Sequence, residues 1–221
     1  STKEKTLEIS DTKSTTRRSV GSSIEGILFI ASGVSSRNNE VVLSLPKGRE
    51  LKNLTAQVNH GVLSIADVKL SNAKILSNGY LLRITDSEIK NSQLITTGIV
   101  NVFETSLTDS RIQADHQHIS AEDIQVHGKV ELESKKDMVI QLSKKELERI
   151  NLNLSSEHGA IYHRTREGVH PVQGNHENKD EEFSNPYNVE KKDTQDLLVA
   201  KAGQDINIPD EPDRSPNSRN H

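Results

Sequence analysis

Apolar residues recur about every nineteen positions between Leu51 and Val126. Within each of four repeats they are separated by steps of seven, two and five residues, and only the third repeat is one residue shorter, before Val100. The sixteen positions are Ala56, Leu63, Ile65, Leu70, Ile75, Leu82, Ile84, Ile89, Leu94, Val100, Val102, Leu107, Ile112, Ile119, Ala121 and Val126. A repeat this short cannot bury its own apolar face and has to stack on its neighbours.

The two-residue step inside each repeat, as in Leu63 and Ile65, is the period of a β-strand whose alternate side chains share one face. No helical stripe of apolar residues runs through the region. The pattern therefore predicts an all-β fold, a single-chain parallel β-helix (solenoid) with rungs of about nineteen residues. Equivalent residues stack ~4.8 Å apart, and the preference of parallel crossovers predicts a right-handed coil.

Two further columns of residues predict corners between the strands. The first lies three residues before the first apolar position of each repeat and continues into the next rung: Asn53, Asn72, Asn91, Asp109 and Gly128. Asn, Asp and Gly tolerate a positive φ, and stacked Asn side chains can form amide ladders. The second column consists of Gly61, Gly79 and Gly98, which lie just before the strand that contains the two-residue step.

An acidic column and a histidine pair are the candidate metal ligands of this chain. The column consists of Asp67, Asp86, Glu104 and Asp123. We interpret it as a solvated turn, and a row of oxygen ligands for calcium is the alternative. His116 and His118 lie two residues apart and could bind a transition metal, but they flank a corner where outward polar residues are expected. We therefore predict no metal site and no cofactor.

Composition limits the classes of function. The net charge of −4 lacks the basic excess typical of nucleic-acid binders. There are no cysteines, which excludes disulfides, zinc–thiolate sites and cysteine nucleophiles. No stretch approaches the ~20 apolar residues of a membrane-spanning helix. Since the chain begins with Ser, we expect a signal peptide or membrane anchor to have been removed upstream.

Catalytic motifs are missing from the sequence, and we predict no catalytic residues. It has no nucleophile elbow, phosphate-binding loop or His-Glu-x-x-His motif. Parallel β-helices do host polysaccharide lyases and hydrolases, but sugar clefts are usually lined with aromatic residues, which make up 3% of this chain. A polysaccharide-acting enzyme is the alternative, and it would need a carboxylate pair in a groove.

Composition shifts divide the chain into five predicted segments, with a short helical turn at 144–150. They are a flexible lead-in (1–20), the β-solenoid (21–163), a polar loop or insertion (164–196), final strands that cap the open end (197–208) and a disordered tail (209–221).

Three stretches resemble a known family. EVVLSLPKGRELKNLTAQVNHGVLSI (40–65), SNGYLLRI (77–84) and LLVAKAGQDINI (197–208) are similar to the β-strand-repeat, adhesin-like domains of bacterial envelope proteins. Those domains share a strand, a Leu-Pro-Lys-Gly-like turn and rungs with an Asn-Gly corner. The resemblance implies an extracytoplasmic domain tethered by an N-terminal membrane segment, often in Gram-positive bacteria, with no assigned function and no catalytic residues.

We therefore predict a non-enzymatic surface, scaffold or adhesin-like binding module at the bacterial cell surface. The alternatives are the polysaccharide-acting enzyme and a calcium-stabilised surface module. The predicted partner is a protein or a cell-wall glycan, and we expect no nucleic-acid partner. The membrane would be reached only through a segment outside this chain. The open ends of the solenoid could also mediate self-association. The outward column Thr55, Lys74, Gln93 and Arg111 is the candidate binding face, and an ordinary solvated face is its alternative.

Overall fold

The computed structural model describes residues 50–58, 61–166, 168–174 and 185–203. The first turn consists of strands β1 (Glu50–Lys52), β2 (Thr55–Val58) and β3 (Val62–Ala66). The next four turns repeat this order as β4 (Lys69–Ser71), β5 (Lys74–Ser77), β6 (Leu81–Thr85), β7 (Glu88–Lys90), β8 (Gln93–Thr96), β9 (Ile99–Phe103), β10 (Ser106–Thr108), β11 (Arg111–Ala114), β12 (Ile119–Glu122), β13 (Gln125–His127), β14 (Lys129–Ser134) and β15 (Met138–Gln141). The end of the coil comprises α1 (Lys144–Arg149), β16 (Asn151–Ser156), β17 (Ala160–Arg164), β18 (Val169–Gly174) and β19 (Leu197–Ala202).

The strands form three sheets that run along the coil. Sheet 1 has the order β1-β4-β7-β10-β13, sheet 2 the order β16-β19-β14-β11-β8-β5-β2, and sheet 3 the order β18-β17-β15-β12-β9-β6-β3. Every pair is parallel except β17 with β18. The predicted parallel β-solenoid is confirmed, and its handedness stays a prediction.

The register follows the repeat. Leu63 pairs with Leu82, and Leu82 pairs with Val100, so equivalent apolar residues stack inside the coil. All sixteen apolar positions of the repeat are buried. The core is therefore one column of Leu, Ile and Val side chains enclosed by the three sheets.

Beyond the fourth repeat the register slips by one residue. Ile112 pairs with Leu132, whereas a strict nineteen-residue step points to Glu131. The extra residue lies directly after the corner at Gly128, where Lys129 already belongs to β14. Met138 and Ile140 are fully buried where the repeat predicts them.

Both predicted corner types are present, for different physical reasons. The Asn column adopts positive φ, with Asn53 at 58° and Asn72 at 52°, and Asn72 Nδ2 donates to Asn53 Oδ1 over 3.3 Å. At the second corner the backbones approach too closely for a side chain. A Cβ on Gly79 would lie 2.3 Å from the Gly61 carbonyl oxygen, and one on Gly98 would lie equally close to the Tyr80 carbonyl.

Helix α1 takes the place of a sixth strand in sheet 1. The side chain of Ser143 caps its N-terminus by accepting from the Glu146 N–H over 3.2 Å. Glu146 Oε1 accepts from the Val126 N–H over 2.6 Å, and Arg149 donates to the Val126 carbonyl oxygen. Two helix side chains thus close the edge of β13, the last strand of sheet 1. The predicted helical turn at 144–150 is confirmed as α1.

Strand β19 lies inside sheet 2, parallel to β14 on one side and to β16 on the other. The prediction that residues 197–208 cap the open end is therefore wrong for 197–202. A helix is ~10 Å thick, about twice the strand spacing, so the chain leaves room for an extra strand when it passes from α1 into β16. Strand β19 occupies that position in sheet 2, whereas in sheet 3 β17 pairs directly with β15.

The predicted polar loop, 164–196, contributes to the closure of the coil in its described parts. Strand β18 pairs antiparallel with β17, and Val172 packs against the core. Tyr187 is buried, and its hydroxyl donates to the Ile140 carbonyl oxygen over 3.0 Å. The predicted lead-in, the first part of the predicted solenoid (21–49) and the predicted tail lie outside the described residues.

Candidate functional site

A polar groove follows the Asn corner between sheet 1 and sheet 2, with a volume of about 600 Å³. Three rungs contribute similar side chains to it, and a fourth closes one end. Its described lining consists of Asn72, Ala73, Lys74, Asn91, Ser92, Gln93, Asp109, Ser110, Arg111, Lys129 and Glu131.

Each rung contributes a triplet whose geometry follows from the corner. The first residue has positive φ, which is 47° for Asn91 and leaves its side chain exposed. The second is small and turned inward, as in Ser92, whose Oγ donates to the Lys90 carbonyl oxygen over 2.7 Å and accepts from the Ala73 N–H over 3.0 Å. The third, Gln93, begins the strand of sheet 2 and points outward.

The predicted outward column lies along this groove. Thr55 pairs with Lys74, Lys74 with Gln93, and Gln93 with Arg111, so the four positions stack in register. Thr55 and Lys74 are exposed, and the other two are partly buried. Lys74 is exposed and forms no ion pair with the other described residues.

The two carboxylates of the groove are already bound within the protein. Asp109 Oδ1 accepts from the Lys129 N–H over 3.0 Å. Glu131 pairs with Lys129 Nζ at 2.5 Å and with Arg111 Nε at 3.7 Å. Asp109 is therefore held by a backbone N–H, and Glu131 is held by two cationic side chains.

Beside the groove, a buried carboxylate joins three strands of sheet 2. Glu133 accepts hydrogen bonds from Arg111 Nη2 at 2.6 Å, from Gln113 Nε2 at 2.9 Å and from Lys201 Nζ at 3.1 Å. Burial alone would raise the pKa of Glu133, but the bonds and charges of Arg111 and Lys201 outweigh it and hold the pKa below its usual value. The network ties β19 to β11 and β14.

No local sequence signal indicates this network. Lys201 lies 68 residues from Glu133, and the two meet only because β19 pairs with β14. The step of two residues between Arg111 and Gln113 does indicate that both face the same side of sheet 2.

The acidic column forms a third line of corners. Asp67, Asp86, Glu104 and Asp123 have φ between 46° and 54°. Burial raises the pKa of Glu104, and a hydrogen bond with Asp86 and the charges of Asp86 and Asp123 raise it further. The side chains therefore stack close enough to repel one another.

The candidate metal ligands do not converge in the described residues. Within those ranges no group of three or more His, Asp or Glu side chains is placed to hold a metal ion. His116 is exposed and its Nδ1 lies 3.2 Å from Asp115 Oδ2, and His118 is also exposed. Both histidines thus lie exposed beside the corner.

A second cleft, of about 760 Å³, lies at the C-terminal end of the coil. Its walls include Leu142, Leu147, Pro186 and Val189, and His163 reaches it from β17. His163 Nδ1 lies 2.9 Å from the Tyr187 hydroxyl, and their rings meet edge to face. Burial raises the pKa of Tyr187 and lowers that of His163, so both groups are neutral at neutral pH.

Comparison with known proteins yields one match. The family described as Toastrack DUF4097, a β-repeat domain of unassigned function, matches residues 1–209. No curated protein and no solved structure matches the chain. Within the described residues, no helix has the length and apolar character to cross a membrane.

Proposed function

The chain belongs to the Toastrack DUF4097 family, and on that premise we propose that it is a non-enzymatic binding module of a bacterial envelope protein. The module is adhesin-like or scaffolding, and it acts outside the cytoplasm, at the surface of a Gram-positive cell. This location rests on the resemblance of its strand repeats to envelope domains.

The observation that carries the proposal is the repetition of the polar groove from rung to rung. The amide groups of Asn72, Asn91 and Gln93 and the amine group of Lys74 lie on successive rungs ~4.8 Å apart, on corners held by stacked hydrogen bonds. A row of similar polar groups at a fixed spacing suits an extended polymer with its own repeat. Because the ligand would meet a preformed surface, little conformational entropy is lost on binding.

A cell-wall glycan is the ligand that the groove suits best. Hydroxyl groups of sugars can bond to the Asn and Gln amides, and the ammonium group of Lys74 favours an anionic glycan. Of the groove's own carboxylates, Glu131 is neutralised by Lys129 and Arg111, and Asp109 is bound by the backbone N–H of Lys129, which reduces their repulsion of such a ligand.

Binding of the full chain to purified cell-wall glycans tests the proposal. The variants Lys74→Glu and Asn91→Gly change the groove, and glycine preserves the positive φ that Asn91 adopts. Arg83→Glu, an equal charge reversal on the exposed face of sheet 3, is the matched control. We expect the groove variants to weaken binding at least tenfold with unchanged melting temperature, and the control to bind like the wild type.

Two outcomes would overturn the proposal. A wild-type chain that binds no cell-wall fraction contradicts it, as does equal binding by Lys74→Glu and Arg83→Glu. Release of reducing sugar ends by the wild-type chain would favour the polysaccharide-acting enzyme instead.

A further inference from the structure

The three sheets end differently at the C-terminal end of the coil. In sheet 1 the edge strand β13 is closed by the side chains of Glu146 and Arg149. In sheet 3 the edge strand β18 runs antiparallel to the rest and carries Pro171, whose nitrogen cannot donate to another strand. Both are devices by which proteins protect sheet edges.

Sheet 2 ends in β16. Lys192 Nζ donates to the carbonyl oxygen of Ile150, directly before this strand, over 2.9 Å, whereas within Asn151–Ser156 the described residues show neither device on the outer edge. Asn151 N–H donates to the Asp196 carbonyl over 2.8 Å, and Glu157 N–H donates to that of Ala202 over 3.0 Å. Residues 151, 153 and 155 therefore direct their backbone groups towards β19, because bonding alternates along a parallel strand. Leu152, Leu154 and Ser156 direct theirs away from it, and in the described residues no strand pairs on that side.

The composition of β16 favours pairing at this edge. Its sequence, Asn-Leu-Asn-Leu-Ser-Ser, contains no charge and no proline. Leu152 and Leu154 are only partly buried, although they pack against the end of the core. An uncharged strand whose outer backbone groups have no strand partner in the described part of the chain, and whose leucines are partly exposed, is a template for strand addition.

We propose that β16 pairs antiparallel with β16 of a second copy of this chain, so that two coils join end to end. The strand is self-complementary about Leu154. Leu154 faces Leu154 of the second copy, and Leu152 faces Ser156, which gives three facing pairs that exchange two hydrogen bonds each. Such an isologous contact closes as a two-fold dimer and extends no further. It is independent of the glycan groove, which lies at the corner between sheets 1 and 2.

The register makes the proposal testable with a matched pair of variants. In a dimer centred on Leu154, Asn153 faces Ser155 of the other copy in a non-hydrogen-bonded pair, where side chains are closest. Asn153→Glu combined with Ser155→Glu places like charges opposite each other at both such positions. Asn153→Glu combined with Ser155→Lys places opposite charges there. The two double variants differ at one residue only.

Sedimentation equilibrium of the full chain, from micromolar to submillimolar concentration, gives the oligomeric state. We expect a dimer for the wild type, a monomer for the Glu/Glu variant and a dimer for the Glu/Lys variant. Thermal unfolding of each variant provides the folding control. Residue 155 pairs with Lys201 in its own chain, so glutamate there favours the folded subunit more than lysine does. Loss of the dimer in the Glu/Glu variant would therefore not reflect unfolding.

A wild-type chain that stays monomeric over this range overturns the proposal. Slow hydrogen exchange at the amides of Leu152, Leu154 and Ser156 in such a monomer would show that another part of the chain covers the edge. A wild-type dimer that survives in both double variants also contradicts the proposed register.

Discussion

The rungs between Glu50 and His127 and the end between Gly128 and Gly203 use the same strands but are organised differently. In the rungs, each residue stacks on the residue one repeat away, as Leu63, Leu82 and Val100 do. At the C-terminal end, sheet 2 gains strand β19, which lies far along the chain from its neighbours β14 and β16. In sheet 1, helix α1 takes the place of a strand. A repeat can specify its own stacking, whereas ending the stack requires polar contacts between distant segments.

We expect the largest effect from a charge placed in the core of either region, and it tests whether the two regions unfold as one cooperative unit. Leu82 in the rungs and Leu198 in the inserted strand are both fully buried. Leu82→Asp and Leu198→Asp each bury an unpaired charge and should lower the free energy of unfolding by about 4 kcal/mol or more. Urea unfolding followed by circular dichroism measures both.

The control for this prediction is Arg83→Asp, on the exposed side of the same strand as Leu82, which should change stability by no more than about 0.5 kcal/mol. If Leu198→Asp proved as mild as this control, β19 would be a peripheral strand and the comparison of the two regions would fail.

The second effect concerns the closed edge of β13. Arg149 contacts Glu146, Asp196 and the Val126 carbonyl. Burial would lower its pKa, but the two carboxylates outweigh burial and raise it, so it stays charged. Arg149→Met leaves the mostly buried Glu146 without this cation, and we expect a loss of about 2–4 kcal/mol in urea unfolding.

Lys144→Met is the matched change on the same helix. Lys144 is almost fully exposed and lies 3.9 Å from Glu148, so its removal should cost no more than about 0.5 kcal/mol. Equal losses in Arg149→Met and Lys144→Met would mean that the helix side chains do not hold the edge.

The smallest effect lies in the rungs, where stacking brings like charges together. The pKa of Glu104 is raised by burial and by Asp86 and Asp123. A raised pKa means that folding favours the protonated form. The stabilisation that protonated Glu104 contributes is complete below about pH 4.3 and is lost as the pH rises through the raised pKa. Glu104→Gln removes this titration.

We therefore expect the melting temperature of Glu104→Gln to exceed that of the wild type at neutral pH, by an amount that shrinks as the solution is acidified. Glu104→Asn should gain more, since asparagine tolerates the positive φ of this corner better than glutamate. A difference that does not change with pH would contradict repulsion along the acidic column.

The rungs could be predicted from the sequence because their contacts repeat locally. The sixteen apolar positions and the Asn corner follow from side-chain periodicity and from tolerance of positive φ, and both hold in the structure. The candidate groove follows for the same reason, since Lys74, Gln93 and Arg111 occupy one position of successive rungs.

The end of the coil could not be predicted in this way. The pattern of β19, with Leu198 and Ala200 on one face, indicates a buried strand but not its neighbours. Those neighbours, β14 and β16, lie far from β19 along the chain, and no apolar pattern encodes which distant strands pair. Tyr187 and Glu133 were missed likewise, because their partners Ile140 and Lys201 are 47 and 68 residues away.

Disulfide trapping of β19 tests the central claim most directly, because the chain has no cysteine of its own. Val199 pairs with Glu131 of β14 on one side and with Asn153 of β16 on the other, within the reach of a disulfide. We expect intramolecular cross-links in both double variants, Glu131→Cys with Val199→Cys and Asn153→Cys with Val199→Cys. A cross-link to position 153 alone would place β19 at the outer edge of the coil and contradict its insertion.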